Sequence, residues 1–169
     1  MQSPFDFTDN PRKHLTLAWN LAHQSNDPNT ENAAILVADT LHIATGVNHI
    51  PNKDIFDVAK MVRSEKLEQI IHAEEAAIIS AARAGISTVG ATLYALWAAC
   101  PHCANVIIAS GVKKVVGLHS LYVRKPERWR DKTNQGIGMM VDKGIVVDWY
   151  RGDLDTDNTL TFNGRQITA

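Results

Sequence analysis

The sequence carries no excess of basic residues. Its 17 lysines and arginines stand against 18 aspartates and glutamates, for a formal net charge of −1. Proteins that grip a nucleic-acid backbone draw much of their affinity from cation–phosphate contacts, so this balance disfavours a polymeric substrate. No apolar run approaches the roughly 20 residues of a membrane span. The opening MQSPFDFTDNPRKH also contains no apolar stretch of signal-peptide length. A cytoplasmic protein is therefore expected. Cysteine is scarce, with only Cys100 and Cys103. A disulfide across so short a loop would remove little chain entropy, and a reducing cytosol disfavours it. The Cys-x-x-Cys pair points instead to a metal or redox site. Internal repeats, low-complexity stretches and a dividing linker are absent too, and 169 residues with 45% hydrophobic content suit one domain with a single sizeable core.

What is present alternates between helical and extended patterns. Asn10-Pro11 followed by HLTLAWNLAHQ reads as a capped amphipathic helix. AAILVA and LHIATGVN read as two strands around a turn at Asp39-Thr40, and NKDIFDVAKMVRSEKLEQ as a short surface helix or ordered insertion. HAEEAAIISAARAG is the strongest helix, closed by Gly85. ATLYALW, KKVVGLH and IVVDWY read as strands, separated by the helices PHCANVIIAS and PERWRDKTNQGIGMMVDKG. These patterns predict a three-layer α/β/α domain over residues 1–150, with helices covering a mixed central sheet of about five strands. Residues 151–169 form a polar C-terminal tail, expected to be disordered or to lie across a neighbour.

Three soft or borderline ligands fall at two helix starts. His72 opens the HAEEAAI helix, and Cys100 and Cys103 flank the first turn of the next one. Proline at the first helical position makes Cys100 the N-cap and puts both sulfurs by the positive end of a helix dipole. That field, like a bound cation, favours the thiolates a metal needs. One His and two Cys leave a tetrahedral zinc an open position for water, unlike a closed structural site. Glu74 lies two residues beyond His72, roughly 200° round an ideal helix, so the two share a pocket only over the helix's N-terminal turn. There the carboxylate could reach the attacking water without ligating the metal and shuttle its protons to the substrate. An H-x-E followed by P-C-x-x-C is the signature of zinc nucleobase deaminases, and here Ala99 stands at the position of its proline. A structural zinc or a redox pair is the alternative, and the intervening Glu favours catalysis. His14, His23, His42, His102 and His119 read as ordinary surface or partly buried residues, while His49 adjoins a pocket loop.

These motifs resemble the deoxycytidylate (dCMP) deaminases of the cytidine deaminase superfamily. SNDPNTENAAILV is similar to the family's S-x-D-P-x-T-x-x-G-A segment, TGVNHIP to its G-x-N-x-x-P loop, and HAEEAAI to its H-A-E-x-N-A-I helix. LYALWAACPHCANVIIASGVKKVV is similar to L-Y-V-T-x-x-P-C-x-x-C-A-x-x-I-I-x-x-G-I, with Ala99 in place of the usual proline. The resemblance implies a zinc-dependent hydrolytic deamination of dCMP to dUMP, by attack of zinc hydroxide at cytosine C4 with Glu74 as proton shuttle. It implies further that Asn48 bonds the sugar or base and that the Ala73 N–H meets the pyrimidine carbonyl. By the same likeness the Ala99 carbonyl holds the exocyclic amine, and Tyr122 stacks on the base.

Ala76, Leu96 and Ala33 depart from the family's Asn, Thr and Gly, which leaves the metal chemistry intact and loosens the substrate assignment. Another free cytosine nucleoside or nucleotide, such as dCTP, cytidine or a modified dCMP, is the alternative substrate. A tRNA or single-stranded DNA deaminase and a non-catalytic zinc protein stand further off. Lys53, Arg124, Lys125, Arg128 and Arg130 are the candidate phosphate ligands. The insertion between His49 and His72 offers no Cys or His for a second zinc. The resemblance also implies a homo-oligomer, dimer or hexamer, and the helix carrying Trp129, Met139 and Met140 serves either such a contact or the core.

Overall fold

The computed structural model describes residues 10–38 and 41–169. The first helix, α1 (Pro11–Leu21), begins where expected: the Asn10 side chain accepts from the Lys13 N–H at 3.0 Å, and Pro11 takes the first helical position. Two strands follow, β1 (Ala33–Ala38) and β2 (Leu41–Val47), paired antiparallel. The turn expected at Asp39-Thr40 lies outside the described residues. The polar insertion folds as two short helices, α2 (Ile55–Lys60) and α3 (Arg63–Gln69). Then come α4 (Ala73–Arg83), β3 (Thr92–Ala95), α5 (Pro101–Ala109) and β4 (Lys114–Leu118). A one-turn helix, α6 (His119–Val123), precedes α7 (Glu127–Asp142) and β5 (Val146–Tyr150).

The five strands form one mixed sheet in the order β2-β1-β3-β4-β5. β1 runs antiparallel to both neighbours, while β3, β4 and β5 run parallel. Alternate residues of each strand enter opposite cores, as a two-residue period dictates. Ala34, Leu36, Leu93 and Val115 pack with α4, α5 and α7. Ile35, Val37, Tyr94 and Val116 pack with Leu15 and Trp19 of α1 on the other face. The three-layer α/β/α expectation is met.

One feature differs from the sequence expectation, and one alternative left open there is decided. Residues 151–169 carry a hairpin, β6 (Thr159–Phe162) and β7 (Arg165–Thr168). Leu154 and Leu160 are buried in the α1-side core, and the Trp19 indole N–H donates to the Asn158 carbonyl at 2.9 Å. The signal was present in the sequence: Asn163 and Gly164 have φ of 50° and 73°, the Asn-Gly turn favoured between two antiparallel strands. Second, of the two roles open to the α7 apolar residues, subunit contact or core, Met139 and Met140 take the core one. Met140 is fully buried, Met139 packs against the same core, and Trp129 lines the cleft described below. The cause is the close seat of α7, whose Gly136 touches the backbone before α5. A Cβ there would stand 2.2 Å from the Ala99 carbonyl oxygen.

Candidate active site

Two helix N-termini converge at the carboxyl end of β3. His72 is the N-cap of α4 and has extended backbone, φ −77° and ψ 157°. It therefore lies outside the helical spiral, and the angle that would separate His72 from Glu74 within a helix does not apply. Cys100 is likewise the extended N-cap of α5, with Pro101 next and Cys103 on the first turn. Close approach of β2 fixes where α4 sits, since a Cβ on Gly46 would fall 2.1 Å from the Ala77 nitrogen and 2.3 Å from the Ala73 carbonyl oxygen. Only glycine admits that contact.

The result is a compact donor set. His72 Nδ1 lies 3.3 Å from Cys103 Sγ and 3.5 Å from Cys100 Sγ. The three ligand atoms all fall within 4.8 Å of one another. This separation, with one imidazole and two sulfurs, fits a tetrahedral zinc that keeps a position open. The hydrogen bond to Cys103, together with His72, holds the Cys100 thiol down to about 3. The bond to Cys100 and the charge of Glu74 raise His72 to about 9. Sharing with Cys100, then burial, pushes the Cys103 thiol up. A cation at this point relieves the conflict, because it stabilises both thiolates and takes the imidazole in its neutral form.

Glu74 is 3% exposed, with an oxygen 3.9 Å from Cys103 Sγ, and burial raises its carboxyl above the ordinary range. His102, between the cysteines, points outward and reaches Glu75 at 3.2 Å.

A cleft opens above this set, and His72, Glu74, Cys100 and Asn48 all line it. Its floor is braced by the SNDPNT segment. Ser25 donates to the Asn48 carbonyl at 2.7 Å, and Asp27 accepts from the Asn29 N–H at 2.9 Å. Asn48 accepts from the Asn32 N–H at 2.8 Å and donates to the Thr30 carbonyl at 2.7 Å. The Asn48 side chain thus shapes the loop as well as facing the cleft. Ala73 and Ala99 are fully buried beneath it, the Ala99 carbonyl lying against Gly136.

Tyr122 does not line the cleft. Its ring lies 4.4 Å from that of Trp149, its hydroxyl donates to Asn134 at 2.9 Å, and Lys125 stands over it. The aromatic wall comes from Trp97, Trp129 and Phe162, the first and last stacked at 4.0 Å. Sequence reasoning missed these, because Phe162 arrives on the C-terminal hairpin and Trp97 sits in a position where the motif specifies no residue. Of the candidate phosphate ligands, Lys125 and Arg128 line the cleft and Lys53, Arg124 and Arg130 do not. Two unforeseen cations join them, Arg63 and Lys66, the latter in a buried pair with Asp27 at 2.7 Å.

A mixed sheet flanked by helices, two of which present His and Cys-x-x-Cys at their N-termini above a cleft, defines a zinc-binding deaminase fold. Residues 8–119 match the model of the cytidine and deoxycytidylate deaminase zinc-binding region, and the chain belongs to this family. A deoxycytidylate deaminase of Enterobacteria phage T2 is 44% identical over 89 residues, 50% of this chain and 47% of that protein. The chain thus spans about half the length of that relative. An uncharacterised deaminase of Aliivibrio fischeri is 28% identical over 150 residues, covering 85% of this chain and 95% of the other. Among solved structures, the dCMP deaminase of cyanophage S-TIM5, in complex with dCMP and dUMP, is similar with a TM-score of 0.65 at 23% identity. That likeness covers 82% of this chain and 94% of the other, and it shows the shared fold.

Proposed function

We propose that the chain hydrolyses dCMP to dUMP and ammonia, with His72, Cys100 and Cys103 holding zinc and Glu74 moving the protons. The observation that carries this reading is the placement of a buried carboxyl beside three converging metal donors in the wall of a cleft. A structural zinc site has no use for a desolvated carboxyl that ligates nothing. When bound, zinc acts as a Lewis acid that makes water a nucleophile at neutral pH.

The chain's own groups do the rest. Glu74 accepts the water's proton, delivers one to the pyrimidine ring nitrogen and later protonates the departing amine. First-turn N–H groups of α4, Ala73 among them, lack acceptors within their helix and suit the pyrimidine carbonyl. Asn48 retains one N–H and one lone pair for the sugar or base beyond its two loop bonds. Trp97, Trp129 and Phe162 supply apolar surface for base and sugar.

A cytoplasmic setting follows from the same chemistry, since both cysteines are free and must stay reduced to bind metal. No described helix is long and apolar enough to cross a membrane. Association of copies is supported by exposed apolar side chains away from the cleft, among them Val89, Val141 and Val146. Light scattering at micromolar concentration would report the state, and a strictly monomeric mass would contradict it.

The test of the catalytic assignment is Glu74→Gln. The variant should keep one zinc per chain and lose dCMP turnover by about 10²- to 10⁴-fold. Full turnover in that variant would rule Glu74 out as the shuttle.

A further inference from the structure

We propose that Lys125 is the residue that distinguishes nucleotide from nucleoside, taking the substrate's 5′-phosphate with the Trp97 indole N–H as a second donor. This rests on the deaminase reading above and goes beyond it by assigning the group that reads the phosphate.

The other cations at the cleft are ion-paired or exposed. Lys66 is paired with Asp27, and Arg128 bonds to the Asn163 side-chain oxygen. Arg63 on α3 and Arg128 on α7 are exposed. Lys125 is neither ion-paired nor exposed. It is 4% exposed, and its Nζ donates to the Thr133 hydroxyl at 2.8 Å. The same nitrogen lies 4.9 Å from the Tyr122 ring centre and 5.9 Å from that of Trp97. Among the described residues it forms no ion pair with a carboxylate. A hydroxyl and two ring faces fix the ammonium in place without neutralising it. Burial accordingly lowers its pKa to about 8, with Glu74 as the acid it senses.

Trp97 gives a second and independent observation. The residue is 9% exposed, and its Nε1 has no hydrogen-bond partner among the described residues. Buried indole N–H groups ordinarily find an acceptor. A buried ammonium without an anionic partner and a buried N–H without an acceptor, both on residues that line the cleft, suit an anion. dCMP differs from deoxycytidine by one such group. Thr133 is then a positioning residue that aims the ammonium from α7.

The experiment compares kcat/KM for dCMP with that for deoxycytidine, using zinc-loaded protein. Lys125→Met keeps most of the stem and removes the charge. It should lower the dCMP-to-deoxycytidine ratio on the order of 30- to 100-fold, chiefly through KM for dCMP. Its melting temperature should rise, because an uncompensated buried charge is gone. Lys125→Arg should restore part of the ratio. Trp97→Phe keeps an aromatic ring, removes the N–H and should lower the ratio by about 5- to 10-fold. Equal losses on both substrates, or an unchanged ratio in both Lys125→Met and Trp97→Phe, would overturn the assignment and leave the deaminase reading intact. Absence of turnover on either substrate by the unaltered, zinc-loaded protein would overturn both.

Discussion

Cys100 and Cys103 stand three positions apart yet ionise in opposite senses without a metal. Cys100, the half-buried N-cap of α5, is held down by Cys103 and His72, whereas Cys103, fully buried on the first turn, is pushed up. Each sulfur is therefore more than a spare ligand. Cys103→Ser replaces a soft thiolate by a hydroxyl that stays protonated, so zinc should fall well below one per chain after dialysis, with the melting temperature falling alongside. Metal analysis beside a thermal scan checks this. A variant that keeps one tightly held zinc would remove Cys103 from the ligand set. The motif residues were legible in the sequence because metal chemistry restricts residue type and spacing together. Lys125 and Trp97 were less so. A lysine in RKPERWR looks like solvated surface, and only tertiary packing against Thr133 and Tyr122 reveals it as buried.

At the scale of elements, the site depends on how closely backbone approaches backbone. Gly136 lets α7 rest on the Ala99–Cys100 peptide, and Gly46 lets β2 rest on the first turn of α4. Gly136→Ala should cost about 1–3 kcal/mol by overpacking. It should also weaken zinc retention, because the displaced backbone carries Cys100. A change in stability with zinc affinity untouched would show that α7 does not hold the metal loop. The C-terminal hairpin is the second device. Glu31 donates its N–H to the Thr161 carbonyl at 2.8 Å, and Gly164 donates to the Asn29 carbonyl at 2.8 Å, so the hairpin is fastened to the cleft floor. Leu160→Ala should destabilise by about 2–5 kcal/mol and loosen Phe162 from Trp97. Denaturant unfolding would measure the first, and tryptophan fluorescence the second.

Long periodic segments such as α4 and the buried strands were legible, because one face of each must be apolar. The hairpin was not, because its few apolar residues are scattered among polar ones. Its Asn-Gly turn was the one local signal.

For the whole molecule, the net charge near zero conceals an uneven distribution: cations gather at the cleft while the remainder of the chain balances them. The buried ammonium of Lys125 has a thermodynamic consequence. Its folded pKa is lowered to about 8, whereas an unfolded lysine keeps its proton to about 10.4. Between those values the unfolded chain binds the extra proton, so this group's contribution to stability rises with pH. The stability gap between the unaltered chain and Lys125→Met should be widest below pH 8 and should close towards pH 10.5. Denaturant melts at several pH values check it, and a gap that widens with pH would contradict the sign. Glu74 and Tyr122 are the titratable groups facing Lys125, and each is present in both proteins.

The most direct test of the account is the substrate profile of the zinc-reconstituted chain. Dilute protein is mixed in turn with dCMP, deoxycytidine, dCTP and a cytosine-bearing single-stranded oligonucleotide, and loss of cytosine absorbance is followed with ammonia release. dCMP should give the highest kcat/KM, with conversion to dUMP and one ammonia per turnover, loss of activity on chelation and its return with zinc. Full zinc occupancy without deamination of any of the four, or a clear preference for the oligonucleotide, would contradict the dCMP deaminase reading.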